Sequence, residues 1–176
     1  MEKSQKSPLP NMYGLLNMPQ QIKEEVASGN KDKMDKIFEK IEVGLSKLEL
    51  GKEFSTPMMV LVDQTTSLKL VKPYTVEQAV ASSCEKWKDV LIRTIKAINN
   101  RQDVYIKTSD LLKYQILIYP LNPKLIKFKS SKYMMPMPNE RIDEDPTGIA
   151  HSYIDFVLGG LLATKNTILQ VNIKQN

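Results

Sequence analysis

Lysine is the residue whose distribution most suggests a chemical role in this 176-residue sequence. Between Glu85 and Tyr133, eleven lysine and arginine residues stand against four acidic residues, so this window carries more than the net charge of +5 of the whole chain. Clustered ammonium groups attract the phosphates of nucleic-acid backbones and lipid headgroups, largely without reading base sequence. We therefore predict a phosphate-binding surface whose lysines are Lys107, Lys113, Lys124, Lys127, Lys129 and Lys132.

The residues around these lysines leave two interpretations open. Lys127 and Lys129 alternate with apolar residues and so share one face of a predicted strand, which either binds phosphate or is simply solvated. Stacking of single-stranded nucleic acid would also need exposed aromatic rings near the lysines. The candidates, which could instead belong to a core, are Tyr105, Tyr114, Tyr119 and Tyr133.

Few other side chains offer chemistry. His151 is the only histidine and Cys84 the only cysteine, which excludes a histidine pair, a multi-histidine zinc site and an internal disulfide within one chain. The acidic run 143–145 lacks the ligand spacing and the glycine of a calcium-binding loop, and glycine-rich phosphate loops and nucleophile-elbow motifs are missing. We expect no enzymatic activity, no metal, no cofactor and no small-molecule substrate.

Length and composition predict one domain with its own core. Hydrophobic residues make up 41% of the sequence, and a chain of this size can bury a core without disulfides or metals. No run of about 18 apolar residues is present, and the N-terminal residues lack the apolar centre of a signal peptide. We therefore expect a soluble protein of a reducing compartment.

The N-terminal region divides from the rest of the chain. Residues 1–18 are predicted to form a flexible tail that ends in an apolar docking segment, and residues 19–176 to form one globular domain. The docking segment packs either on its own domain or on a neighbouring molecule, and nothing in the sequence distinguishes the two. The residues predicted to mediate self-association are Met12, Tyr13, Leu15, Leu16 and Met18.

Two helices are predicted before the first apolar strand. Pro19 is well placed to open a short helix through Ala27, which a serine-glycine-asparagine turn would end. A second, amphipathic helix runs from about Lys31 to Leu50, with apolar residues at intervals of three and four. Residues 54–72 then fit a hairpin of two short strands.

The strongest helical signal lies between Thr75 and Ile98. Thr75 and Gln78 have the spacing of a capping box, and an apolar stripe that includes Cys84 and Trp87 follows. Burial of each large side chain on this stripe is worth roughly 1.5–3 kcal/mol. We therefore expect a long helix at the centre of the core.

The second half of the chain reads as sheet. Residues 130–148 fit a long loop. Residues 152–163 fit either strand or helix, and we favour two short strands with a turn at Gly159-Gly160. The elements together predict an α+β fold, a single domain in which an antiparallel sheet packs with a central long helix and two N-terminal helices. The remaining strand candidates are Val104–Ile106, Tyr114–Tyr119, Leu125–Lys129 and Thr167–Lys174.

Residues 56–98 combine an apolar hairpin, the approach Leu70-Val71-Lys72-Pro73-Tyr74-Thr75, the segment Val76–Ala81 and Trp87. In this pattern they resemble the core of rhabdovirus matrix proteins. The resemblance implies a small sheet packed with helices, a proline-rich loop and a C-terminal strand pair. The tail departs from the family, because it lacks the PPxY motif of many animal-virus members, and the lysine- and asparagine-rich chain would suit a plant-infecting member.

The resemblance implies a structural protein of the virion. Such a protein self-associates, binds and condenses the nucleoprotein-RNA of the helical nucleocapsid, and bridges it to the anionic inner leaflet of the membrane in the host cytoplasm. By this analogy the docking segment mediates assembly and the lysines contact nucleocapsid or lipid. The alternatives are a small basic RNA-binding accessory protein, such as a silencing suppressor, and an enzyme acting on a phosphorylated ligand.

Overall fold

Helices pack on one face of a five-stranded sheet, and a separate two-stranded sheet packs near the other face, in the computed structural model. The structure describes residues 15, 18, 21–50, 56–77, 79, 84–99, 103–130 and 159–175. The predicted α+β class is confirmed. The elements are β1 (Ile22–Val26), a 3-10 turn (Ser28–Asn30), α1 (Met34–Ser46), β2 (Met58–Val62), α2 (Gln64–Leu70), α3 (Trp87–Asn99), β3 (Val104–Thr108), β4 (Gln115–Pro120), β5 (Ile126–Ser130), β6 (Gly159–Ala163) and β7 (Leu169–Ile173).

The five-stranded sheet is mixed, so the prediction of an antiparallel sheet is wrong. Its strand order is β1-β7-β4-β2-β3, with β1 parallel to β7, β2 parallel to β3, and β4 antiparallel to both of its neighbours. Four strands therefore run one way and only β4 runs the other. The reason lies in the connections, because the chain from β2 to β3 passes through two helices, which is the connection that parallel neighbours require.

Helix α1 confirms the second predicted N-terminal helix. Its apolar residues at intervals of three and four are buried in the main core with the helix-facing residues of the sheet. Gly44 lies where α1 crosses β7, and a Cβ atom there would be 2.7 Å from Leu169 Cδ2. The absence of a side chain at Gly44 therefore sets how closely α1 approaches the sheet.

The first predicted N-terminal helix is wrong, because this segment contains strand β1. Ile22 and Val26 face the main core, and Glu24 between them is nearly buried and accepts a hydrogen bond from Lys47 Nζ. Every residue of β1 pairs with β7, from the other end of the chain. Pairing and burial override the helix-favouring local sequence, as is common for strands whose stability comes from their neighbours.

The predicted hairpin is half correct. Its first strand is β2, but residues 68–70 of the second predicted strand belong to helix α2. Asp63 sets this outcome, because its carboxylate accepts from Thr66 N–H (3.3 Å) and from Thr66 Oγ1 (2.5 Å). A buried aspartate that caps the first turn stabilises helix over strand.

The predicted long central helix is wrong in its first half. Helix α3 begins at Trp87, and the described residues before it form turns and a bridge between Pro73 and Lys86. Asp89 Oδ2 accepts from Lys86 N–H (3.2 Å), which satisfies a donor at the helix start. Val76, predicted to lie on the apolar stripe, is 87% exposed. The fully buried part of the described stripe lies within α3, at Val90, Leu91 and Ile95.

The small sheet corrects one further prediction. Gly159 and Gly160 lie within strand β6 and pair with β5, so they do not form the predicted turn. The strand interior accommodates them because β5 supplies their ladder partners. The other predicted strands are confirmed as β3, β4, β5 and β7, while the predicted loop beyond Ser130 lies outside the described residues. No described helix is both long and apolar enough to cross a bilayer.

Candidate polyanion-binding surface

The face of the five-stranded sheet opposite the helices carries a second apolar cluster. Leu117 of β4 and Ile168 are buried there with Met18 and Leu112. The small sheet packs against this cluster through Ile126, Leu161 and Ala163. Because neighbouring residues of a strand point to opposite faces, the alternate residues of β5 and β6 are directed away from the cluster.

Lys127 lies on that outward face of the small sheet. Its side chain is exposed, and its register partner on β6 is Leu162, which is 53% exposed. Lys129 lies two residues further along β5 and pairs with Gly160, but its side chain is not among the described parts of the structure. Lys132 lies outside the described residues. Lys124 is exposed in the turn before β5, where its N–H donates to Asn122 Oδ1 (2.9 Å).

Lys107 lies on β3 at the edge of the five-stranded sheet. Val104 and Ile106 turn toward the helix-side core, so Tyr105 and Lys107 share the opposite face. Lys107 is exposed and the Tyr105 side chain is 47% exposed. An exposed ring and an ammonium group two residues apart on one strand form a pair suited to a nucleic-acid backbone and its bases.

The other tyrosines near the lysines differ in exposure. Tyr114, beside the exposed Lys113, is 44% exposed and has a positive φ of 54°. Tyr119 is half-buried against the second apolar cluster, and this burial raises the pKa of its hydroxyl. Tyr133 lies outside the described residues. Tyr105 and Tyr114 therefore remain available for stacking, and Tyr119 belongs to packing.

The described lysines fall into two groups. Lys113 precedes β4 and Lys124 follows it, so they lie at opposite ends of a six-residue strand, which spans about 20 Å. Lys107 pairs with Leu61 of β2, and Leu61 pairs with Leu117 in the first half of β4. Lys107 is therefore nearer to the Lys113 end of β4. The structure therefore does not bring the predicted lysines into one compact cluster, but distributes them along the sheet.

Three of these lysines lack an acidic partner among the described residues. Lys107, Lys113 and Lys127 form no ion pair there, whereas several lysines elsewhere do. The pairs with distances are Lys36–Glu39 (2.9 Å), Lys69–Asp32 (2.9 Å) and Lys174–Glu25 (2.6 Å). The positive charge of these three lysines is therefore not neutralised by a direct contact within the described part of the chain.

The predicted docking segment is described at two residues. Met18 is buried in the second apolar cluster and Leu15 packs against it, while Gln21 Nε2 donates to Leu15 O (3.0 Å). These two residues thus contact their own chain, which is the first of the two alternatives considered for the segment. Met12, Tyr13 and Leu16 lie outside the described residues.

A cleft of about 310 Å³ at the end of the sheet escaped the sequence interpretation. It lies where β2 and β7 end, between the turn after β1 and helix α2. Lys69 Nζ donates there to Lys31 O (2.8 Å) and to Asp32 Oδ1 (2.9 Å). The hydrogen bond from Lys69 to the Asp32 carboxylate lowers the pKa of Asp32. The capping pattern of Asp63 and Thr66 after a buried strand was the signal that could have revealed the helix lining this cleft.

No group of three or more metal-ligating side chains occurs among the described residues. Comparison with models of known protein families finds no match, and comparison with curated protein sequences finds no related protein. The geometry of the surface therefore carries the functional argument.

Proposed function

We propose that this protein is a structural, non-enzymatic protein of the matrix type, which self-associates and binds polyanionic partners. In this proposal it condenses viral nucleoprotein-RNA and bridges it to the anionic inner surface of the host membrane within the forming virion. The resemblance of residues 56–98 to rhabdovirus matrix proteins supplies the class. The lysines supply the contact.

The observation that supports the proposal is the exposure of Lys107, Lys113 and Lys127 without acidic partners in the described part of the chain. An ammonium group that is already paired gains little from a phosphate, because the acid must first be displaced. An exposed, unneutralised ammonium group releases counterions from the polyanion at no such cost. Their spread along the sheet suits an extended polyanion better than a compact ligand.

The proposal is tested by removing charge from this surface. A variant with Lys107, Lys113, Lys124 and Lys127 all replaced by glutamine is compared with wild type for binding to single-stranded RNA and to phosphatidylserine vesicles. We expect weaker binding to both, and a log-log salt slope for RNA that is smaller by about 3 units, because each lost phosphate contact removes about 0.7.

The matched control removes the same charge elsewhere. Glutamine replaces four other exposed lysines at helices α1 and α3, on the opposite side of the sheet, which are Lys33, Lys36, Lys88 and Lys96. We expect this variant to keep most of the wild-type slope, because its lysines lie outside the proposed surface. An equal loss in both variants would show that only net charge matters and would contradict a defined surface. Sedimentation of the wild type must also show concentration-dependent self-association.

A second candidate is an RNA-binding accessory protein that acts as a monomer. The exposed Tyr105 beside Lys107 favours it, because stacking of a base on a ring is worth about 1–3 kcal/mol. This candidate predicts that Tyr105→Ala weakens RNA binding about tenfold or more while vesicle binding is unchanged. A matrix-type protein that contacts phosphates alone predicts little change in either.

A further inference from the structure

The outer edge of β3 has no strand partner in the described part of the chain. Among the described strands, β3 is the last of the sheet and pairs only with β2. Two backbone hydrogen bonds at the ends of the β2–β3 pairing show which residues of β3 bond to β2. Met58 N–H donates to Asp103 O (2.9 Å), and Ser109 N–H donates to Val62 O (2.9 Å).

These two hydrogen bonds also identify the backbone groups of β3 that do not point toward β2. Successive residues of a strand direct their N–H and C=O groups to opposite edges. Since Asp103 and Ser109 face β2, so do the residues of the same parity between them. The N–H and C=O groups of Val104, Ile106 and Thr108 therefore point outward, away from the sheet.

We propose that this edge pairs, antiparallel, with β3 of a second copy of the chain across a two-fold axis at Ile106. In this register Ile106 faces its own counterpart, and Val104 faces Thr108 of the second copy. All three are residues with outward backbone groups, so each facing pair exchanges two hydrogen bonds. Every outward donor and acceptor of the strand then has a partner.

The side chains are compatible with this register. Tyr105 faces Lys107 of the second copy at a non-hydrogen-bonded position, where Cα atoms are about 4.5 Å apart and side chains are closest. The exposed ring can there accept an ammonium group on its face. A lysine on an edge strand normally deters pairing, but here it faces an aromatic ring and never another lysine.

The nearest competing register places Tyr105 on the axis. It would bring Asp103 opposite Lys107 of the second copy, but it leaves the outward groups of Thr108 without a facing residue in the strand. The register centred on Ile106 uses the whole of β3. Thr108 therefore distinguishes the two.

The predicted contact is small. Five residues per copy bury far less than the roughly 1,000 Å² of a stable interface, so a single pair should be weak and concentration-dependent. Such weak contacts become effective when many copies are held together on one polymer or surface. The inference rests on the self-association in the proposed function, and it names the surface that carries it.

Amide hydrogen exchange of the full chain, followed by NMR across a concentration series, tests the pairing. At low concentration we expect fast exchange at Val104, Ile106 and Thr108, and slow exchange at Tyr105 and Lys107, whose amides bond to β2. At high concentration the first three should become at least tenfold slower to exchange. Sedimentation over the same series should show dimers.

Thr108→Pro is the decisive variant. Proline removes the outward N–H but no bond to β2, and an edge position of this kind tolerates it. We expect dimerisation to weaken at least tenfold. Thr108→Ala is the control, because it also loses the hydroxyl contact to Ser67 Oγ (3.3 Å) but keeps the N–H. It should dimerise like wild type.

The outcomes separate this inference from the proposed function. Self-association without protection at the three amides, or unaffected by Thr108→Pro, would overturn the pairing and leave the proposed function standing. Protection of those amides at every concentration would show that the chain covers its own edge, and would also overturn the pairing. A monomer at all concentrations would overturn both.

Discussion

The two outer strands of the five-stranded sheet, β1 and β3, present very different edges. Both are five residues long, and each runs parallel to the one described strand that it pairs with. β1 reads Ile-Lys-Glu-Glu-Val and carries a charge at each central position, whereas β3 reads Val-Tyr-Ile-Lys-Thr and carries one. The difference determines which edge can meet a copy of itself.

Symmetric pairing of β1 opposes like charges in every central register. An axis at Lys23, Glu24 or Glu25 places that residue directly opposite its own counterpart, and like charges directly opposite destabilise a strand pair. β3 has axes at Tyr105 and Ile106 that oppose no like charges. The comparison teaches that the three central residues of an edge strand can decide whether that edge resists or permits pairing with a second copy of the chain.

The β1 side of the sheet is also the side on which α1 packs most closely, and Gly44→Ala tests how rigid that side is. A Cβ atom at Gly44 would meet the end of the Leu169 side chain, which is fully buried and would have to shift within the packed core. Overpacking of this kind costs about 1–3 kcal/mol, more than the roughly 1 kcal/mol that alanine gains over glycine in a helix. Urea unfolding should therefore show a net loss of stability.

Gly29→Ala is the control for that variant. Nothing lies within 4 Å of a Cβ atom at Gly29, so we expect a change within about 0.5 kcal/mol. Equal stability of Gly44→Ala and wild type would mean that α1 can move away from β7, and that the packing of α1 on the β1 side of the sheet is not rigid.

Glu24→Val would remove the protection of the β1 edge. It replaces the central glutamate by an apolar, strand-favouring residue, and it leaves Lys23 opposite Glu25 of a second copy when the axis lies at residue 24. We expect this variant to dimerise at least tenfold more strongly than wild type by sedimentation. Valine suits a nearly buried strand position, which offsets part of the stability lost when Lys47 loses its partner.

The control for Glu24→Val keeps the shape and removes only the charge. Glu24→Gln should raise dimerisation less than valine does, since the amide still needs hydrogen bonds at the interface. A valine variant that stays monomeric would show that charge does not protect β1 and would remove the basis of the comparison between the edges.

The smallest effect concerns Tyr119, which lies between the two edges on β4. Burial raises its pKa above the ordinary value of 10.0, so the unfolded chain loses this proton first as the pH rises. Its contribution to stability is complete below pH 10 and is lost as the pH rises through the folded pKa. Thermal unfolding from pH 8 to 11 should show a smaller alkaline loss for Tyr119→Phe than for wild type.

Tyr105→Phe provides the comparison at the exposed edge. It removes a hydroxyl of a ring that is already 47% exposed, so the alkaline loss should match that of wild type. At neutral pH both variants should stay within about 0.5 kcal/mol of wild type. An identical pH profile for Tyr119→Phe and wild type would contradict the role of burial at Tyr119.

The spacing of apolar residues along the sequence was enough to predict α1 and most strands. The apolar face of α1 and the alternation in β3 and β5 are properties of neighbouring residues, so the sequence displays them directly. The exposure of Lys107 and Lys127 follows from the same alternation, and both lysines are exposed as expected.

The rest depended on distant partners. β1 forms because β7 is available to pair with it. Helix α2 is different, because its cap is the local contact between Asp63 and Thr66, a signal that the sequence did contain. The lysines divide into two groups because β4 separates Lys113 from Lys124. The open edge of β3 could not be predicted either, since the order of strands in a sheet is not written in any local pattern.

The pairing of β1 with β7 joins the first and the last strands of the described chain. On a ribosome, β1 would emerge before β7 and would wait until the residues between Val26 and Leu169 had been made before this partner appeared. Contacts this distant in sequence form slowly, and a strand left waiting is exposed to aggregation meanwhile. The charges of β1 would then serve a second purpose, which is to keep the growing chains of neighbouring ribosomes from associating before each molecule is complete.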